Sequence, residues 1–387
     1  MANYDYEIVN GRKIRVRLKE TVSEIDKNGY FRRQPNHFTT PFGDGENDLK
    51  AEGNKRYRLV WAKLCHWSNR AAIVRELEGL EDQISVNMVE HAPHEKNLGW
   101  EYVYNENNID PVLGDQFLSE AYYRADDDYQ GRTTVPALID TTTGKVVNND
   151  YNWLTTYFEV NFRPWHKKGA PELYPVELRE EIDKMNLWLF DNINNAVYRS
   201  SFSRSNEGHF DGVNTFYAAM DRLEKRLETN RFLFGDYVTD SDIRLYVTLA
   251  RLDIRYTAQL GETKHPLYTY KNLWGYAKEL WEIPAFKNNT FFADFAVPPA
   301  DAKGRIEGEE DGFRASTHYD LALPKIDWDA QWKVSTERAY LSSDPTHPIY
   351  LGNNRRFDID PTWYDLGAES PKKEEKETPP SCGCCCG

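Results

Sequence analysis

From Tyr57 to about residue 158 the chain alternates short apolar runs with helix-like stretches, and that order admits few folds. Residues 58–64 read as a strand, 69–79 as a helix and 84–89 as a second strand. A long connection reaches Asp110, and a helix follows over 118–125. Runs 135–140 and 145–148 form a hairpin across Thr141-Thr142-Thr143-Gly144, and residues 151–158 open another helix. The order β-α-β-α-β-β-α is that of the thioredoxin fold. One thiol stands out within it: Cys65, the only cysteine in the first 381 residues, lies where the first strand passes into the first helix. Unpaired N–H groups and the helix dipole favour an anion there. The thiol is therefore expected to ionise below its free value of about 8.5 and act as a nucleophile. The competing reading is a small buried residue under the helix.

Residues 1–55 read as an irregular arm, broken by Pro35, Pro41 and Gly43-Asp44-Gly45-Glu46. A thioredoxin-like domain then spans 56–163, and a Pro-rich linker leads into a helical domain over 164–295. Leu178, Ile182, Met185, Leu189 and Ile193 form a buried stripe, as do Phe216, Met220, Leu223 and Leu227. Thr239-Asp240-Ser241-Asp242 is a capping box opening an apolar helix, an architectural role. Residues 296–367 lose periodicity and read as an extended segment wrapping the helical domain. Residues 368–387 form a disordered, Cys-rich tail. The fold class is α/β plus all-α, with an irregular C-terminal extension.

A length of 387 residues suits two domains with extensions. The net charge of −14 excludes a nucleic-acid partner, because phosphate repels such a surface. No apolar run approaches the roughly 20 residues that cross a bilayer, so no membrane role is expected. A single cysteine in the body suits a reducing, cytoplasmic location. Cys382, Cys384, Cys385 and Cys386 could bind a soft metal, form disulfides, resolve an adduct on Cys65, or be dispensable. No metal site is assigned.

Several motifs fall in order: Cys65-His66-Trp67-Ser68-Asn69-Arg70, Gly99-Trp100, Gly131-Arg132-Thr133-Thr134-Val135-Pro136 and Asn148-Asn149-Asp150. Asn194-Asn195-Ala196-Val197-Tyr198, Phe234-Gly235-Asp236 and Thr239-Asp240-Ser241-Asp242-Ile243-Arg244-Leu245 follow. Together, over residues 55–295, they resemble the xi-class glutathione transferases, or glutathionyl-hydroquinone reductases. The resemblance implies a thioredoxin-like domain followed by a transferase-type helical domain, glutathione as cosubstrate, a quinol or thiol conjugate as substrate, and a homodimer. It implies that Cys65 takes glutathione from a glutathionyl-hydroquinone, with a second glutathione resolving the mixed disulfide. It places glutathione on Trp100, Arg132, Thr133, Thr134, Val135, Asp150 and Tyr151. Tyr198 would exchange a proton with the quinol, and Tyr256 would tune the thiol.

On residue chemistry alone, each of these positions keeps two roles open. Pro136 suits either a cis peptide facing the cysteine or an ordinary strand start. Trp100 caps a ligand or fills a loop core; Arg132 forks a carboxylate or stays solvated. Tyr198 and Tyr256 pass protons or pack as core aromatics. Trp165 and His166 edge the acceptor pocket or are incidental.

Four departures from the family pattern stand out. The family proline after the cysteine is His66, which acts as a cation, as a base, or is merely exposed. The Glu-Ser pair at the γ-glutamyl end is Asp150-Tyr151, whose ring narrows that site. A third family tyrosine falls on Pro299, and the chain after residue 295 has no counterpart. These departures leave two alternatives: general thiol transfer with another low-molecular-weight thiol, and a non-catalytic scaffold.

Overall fold

The computed structural model describes residues 4–17, 23–91, 98–260, 266–295, 327–333 and 338–342. The chain opens on a hairpin, β1 (Tyr4–Val9) and β2 (Arg12–Arg17), turning through Asn10 and Gly11 with φ of 50° and 77°. Asn-Gly between alternating residues is the strongest short hairpin signal. It corrects the expectation that residues 1–55 are irregular throughout. Ile14 and Val16 seat the hairpin against Leu98 and Phe117.

The central sheet is organised by β3 (Tyr57–Trp61), whose five residues are all buried, so both faces need cover. The first helix, α1 (His66–Leu77), follows Cys65 directly. Strand β4 (Ile84–Met88) pairs parallel to β3, with Leu59 opposite Val86. The long connection holds a two-residue pair, β5 (Glu90–His91) with β6 (Trp100–Glu101), and leads to α2 (Leu118–Ala125). Strand β7 (Ala137–Asp140) runs antiparallel to β3 and to β8 (Lys145–Asn148), and α3 (Leu154–Val160) closes the unit. The sheet order is β4-β3-β7-β8. Side chains alternate across it with period two. Leu59 and Leu138 pack with Ile73, Leu77 and Phe158 on one face, and Val60, Ala137 and Ile139 with Leu118 and Tyr122 on the other. The element order read from the sequence is the one observed.

The Leu59 face continues into the helical domain as one core. Its helices are α4 (Arg179–Leu189), α5 (Ala196–Phe202), α6 (Asn206–Thr229), α7 (Asp240–Arg251), α8 (Thr257–Leu260), α9 (Lys271–Trp281), α10 (Pro284–Asn288) and α11 (Phe292–Phe295). Both apolar stripes are buried as expected. The capping box forms: the Asp242 carboxylate accepts from Thr239 N–H at 2.8 Å, Thr239 Oγ1 at 2.9 Å and Leu233 N–H at 2.9 Å. Burial still pushes that carboxyl up to about 6, against the pull of its donors. α7 is buried along its whole length and packs against α1.

Part of the C-terminal segment docks on this domain, as short helical pieces rather than extended chain. Within Trp328–Trp332, Trp332 lies 5.0 Å ring to ring from both Trp274 and Phe292. Arg338 donates to the carbonyls of Leu227 and Asn230 at 2.9 Å each. Pro299, residues 368–381 and the four tail cysteines lie outside the described residues. Among the described residues, no helix is long and apolar enough to cross a membrane.

Candidate active site

Cys65 is the N-cap of α1, with φ −79° and ψ 116°. Ala62–Leu64 make a tight turn between β3 and the thiol. Cys65 N–H donates to Ala62 O at 2.9 Å, and Ser68 Oγ pins Ala62 from within the first helical turn. The turn is gripped from the other domain by Arg251, at the end of α7. This wholly buried guanidinium donates to the carbonyls of Lys63 (2.7 Å) and Leu64 (2.9 Å) and to Asn69 Oδ1 (3.1 Å). Its own helix supplies a further acceptor, Val247 O at 2.8 Å.

The thiol is partly exposed, and its Sγ donates to Val135 O at 3.6 Å. The Val135-Pro136 peptide is cis. Thr134, just before it, is fixed by the buried Tyr122 hydroxyl, which donates to Thr134 O at 2.7 Å, and by Asn149 Nδ2, 3.2 Å from Thr134 Oγ1. The reading of Cys65 as a residue sealed under its helix is thereby excluded. It opens instead on a cavity of about 470 Å³, large enough for a tripeptide-sized ligand.

That cavity brings together Cys65, Trp100, Arg132, Thr134, Val135, Tyr151, Tyr198 and Tyr256. Two of the expected glutathione contacts stand back from its lining. Thr133 packs beside Gly99. Asp150 Oδ1 accepts from Asn36 Nδ2 at 2.9 Å and from Asn152 N–H at 3.0 Å. Tyr151 turns its ring onto Trp67, 4.8 Å away. Trp165 and His166 lie off the cavity altogether. His166 Nδ1 pairs with Glu78 at 3.0 Å and its Nε2 lies 2.8 Å from Phe158 O, which corrects the acceptor-pocket reading.

Both tyrosines are set by widened helical turns: Tyr198 lies in α5 after Phe190–Asn194, and Tyr256 ends the turn Leu252–Tyr256 after α7. Burial raises both phenols, and the neighbouring Cys65 adds to this at Tyr198, so each carries its proton at neutral pH. His66 is wholly buried, not exposed. Burial, then the nearby Arg251, Arg33 and Arg70, lower its pKa well below the ordinary value and keep it neutral. Its Nδ1 lies 2.9 Å from the Tyr256 hydroxyl. The imidazolium reading is therefore corrected: His66 serves the phenol and carries no charge to offer the sulfur.

One wall of the cavity was not legible from the sequence. Residues 23–36 cross the cleft and supply Glu24, Arg33, Gln34 and Asn36. Gly29 (φ 78°) lies so close to Ser205 that a Cβ would sit 2.9 Å from that side chain. Phe31 N–H donates to Ser203 Oγ at 3.0 Å on the helical side. On the other side Gln34 is doubly bonded to the Arg132 backbone, at 2.9 and 3.0 Å. Glu24 takes the Arg132 fork, accepting from Nε at 2.8 Å and Nη2 at 2.9 Å. Burial raises the Glu24 pKa, but Arg132 outweighs it and the net shift is downward. Among the described residues, no group of three or more His, Cys, Asp and Glu could hold a metal ion.

Comparison with known proteins gives the family. The glutathione S-transferase C-terminal domain family matches residues 197–279. Glutathione S-transferase omega-like 2 of Schizosaccharomyces pombe is 34% identical over 277 residues, 69% of this chain and 87% of that protein. Glutathionyl-hydroquinone reductase YqjG of Escherichia coli K12 is 33% identical over 237 residues, 61% of this chain and 72% of that protein. The chain belongs to the xi-class glutathione transferase and glutathionyl-hydroquinone reductase family. Among solved xi-class structures, that of Phanerochaete chrysosporium has 33% identity and a TM-score of 0.63, covering 70% of this chain and 87% of its own. The glutathione-bound structure of YqjG has 32% identity and a TM-score of 0.61, covering 69% and 87%. Within this xi-class chain, the wall formed by residues 23–36 lies before every motif that carries the resemblance.

Proposed function

We propose that this protein is a glutathione-dependent reductase that removes glutathione from glutathionyl-hydroquinones through Cys65. The observation that carries the reading is a partly exposed thiol at the N-terminus of α1, 3.6 Å from Val135 O and opening on a tripeptide-sized cavity. Glutathione lies along Val135 as a short added strand, its carboxylates toward Arg132 and the end of β8. The Cys65 thiolate attacks the glutathionyl sulfur. A sulfur–sulfur bond forms, the aryl carbon–sulfur bond breaks, and its electron pair goes to the ring carbon, which takes up a proton. The hydroquinone leaves, reduced by two electrons, and the two sulfurs are oxidised to a mixed disulfide. A second glutathione thiolate attacks that disulfide, releasing oxidised glutathione and restoring Cys65. Tyr198 and Tyr256, both protonated, donate to the quinol oxygen or the sulfur as charge develops. Membership of the family that includes YqjG, named for this reaction, supports the same reading. It carries with it a homodimer, checked by light scattering, and a cytoplasmic location, checked by cell fractionation.

The test is mass spectrometry of the intact protein after incubation with a glutathionyl-hydroquinone. One glutathione on Cys65, discharged by free glutathione with release of quinol, supports the reading; no adduct at residue 65 overturns it. Tyr151 on the cavity wall favours a second reading, thiol transfer with a smaller cosubstrate. It predicts a stronger adduct from γ-glutamylcysteine than from glutathione.

A further inference from the structure

Arg33 belongs to no motif, yet it occupies the middle of the cavity wall. Its guanidinium carbon lies 4.4 Å from the ring centre of Tyr198 and 4.7 Å from that of Trp67. Its Nε donates to Asn195 Oδ1 at 3.0 Å. Nη2 is buried and has no hydrogen-bond partner among the described residues. Among the described residues the one carboxylate lining the cavity, Glu24, is already bidentate on Arg132.

Arg33 is half-buried, and its unpaired Nη2 leaves part of the guanidinium without an acceptor, which aromatic faces compensate only in part. The imbalance is wider than one residue. Arg33, Arg132, Arg204 and Arg255 line the cavity against that single glutamate, in a chain whose net charge is −14. The site thus inverts the sign of the molecule and draws in anions. Arg132 faces the end of the cavity where glutathione carboxylates are expected. Arg33 lies on the acceptor side: it is closer to Tyr198 than to Tyr151, whose ring centre is 5.7 Å away, and it is anchored to the helical domain through Asn195. Tyr198 and Phe202, with ring centres 5.7 Å apart, add a flat apolar surface beside it.

We propose that Arg33 recognises an acidic substituent on the acceptor ring, so that the preferred substrates are glutathionyl-hydroquinones bearing a ring carboxylate. This rests on the reductase reading given above and adds the substrate class. The carboxylate would pair with the cavity-facing edge of the guanidinium, opposite the Nε held by Asn195, while the ring lies against Tyr198.

The test titrates the full chain and its Arg33→Gln and Arg33→Lys variants with hydroquinone and with 2,5-dihydroxybenzoate, read by tryptophan fluorescence and calorimetry. Turnover is followed in parallel on the glutathionyl conjugates of the same two quinols. The native protein is expected to bind the carboxylated quinol at least tenfold more tightly. Arg33→Gln should reduce that ratio to about two, and Arg33→Lys should retain an intermediate value. Equal affinity for both quinols in the native protein overturns the proposal, as does a ratio unchanged in Arg33→Gln. An Arg33→Gln variant with raised KM for glutathione and an unchanged ratio would place Arg33 at the γ-glutamyl end, and also overturns it. If neither conjugate is turned over, the reductase reading fails separately, and the binding ratio still decides the role of Arg33.

Discussion

On one wall of the cavity, Cys65 and Val135 are held by a helix start and the turn before β7, braced by Arg251, Tyr122 and Asn149. On the other, Glu24, Arg33 and Gln34 come from a segment with no long element of its own, tied down by side-chain and loop hydrogen bonds. The first wall sits on the protein core, where a displaced group leaves buried donors and acceptors unpaired. The second lies over that core and can change its residues without disturbing the sheet. The proposed function places the reaction chemistry on the rigid wall, and the inference at Arg33 places selection of ligands on the applied one.

That division can be broken by experiment, first at the sulfur. Cys65→Ser is expected to lower turnover by at least about 10³-fold, since a hydroxyl at this position is a far weaker nucleophile. Its thermal midpoint should stay close to that of the native protein, because the side chain is only partly buried. Activity retained within tenfold would remove the rigid wall from the chemistry.

The next largest effect is expected at Arg251, a positioning residue. Arg251→Met strips four acceptors of their buried donor and should cost about 3 kcal/mol in urea unfolding. Because the turn it grips carries the nucleophile, kcat should fall more than KM rises. A variant that loses stability while keeping kcat would reduce Arg251 to a purely structural brace.

His66 sharpens the picture through pH. Its folded pKa lies below the unfolded value near 6.5. The unfolded chain therefore binds the extra proton first as pH falls. The stability tied to neutral His66 is complete above about pH 6.5 and is lost on acidification, by up to about 1.4 kcal/mol per pH unit. Urea midpoints measured between pH 7.5 and 5 should show this slope, and His66→Gln should flatten it. An identical slope in the variant would assign the titration elsewhere.

The smallest effect belongs to the applied wall. Glu24→Gln removes the charge that occupies the Arg132 fork, and should lower KM for glutathione about threefold with kcat unaltered, a change of about 0.6 kcal/mol in keeping with a partly exposed pair. A raised KM would mean that Glu24 aims Arg132 and does not compete for it.

Much of the rigid wall was legible in the chain because its signals are local. The run from Tyr57 into Cys65 marks strand, turn and helix start within a few residues. Pro136 and the Thr239–Asp242 box likewise carry their geometry in adjacent positions. The hairpin at Asn10-Gly11 is equally local, but its two-residue signal is masked by the prolines and glycines that follow. Arg33 and Glu24 gave no comparable signal. Their partners, Asn195 and Arg132, stand 162 and 108 positions away, and no spacing within the segment reports on either.

The sequence by itself determined the order of strands and helices along the chain, the buried stripes of α4 and α6 and the placing of one thiol at a helix start, because hydrophobic period and turn chemistry act over a few neighbouring residues. Only the tertiary structure decided that His66 is buried and neutral, that Arg251 holds the turn before Cys65, and that residues 23–36 complete the cavity. Each of those depends on which distant group excludes water or supplies a charge, and the desolvation of a side chain is a property of its surroundings in space.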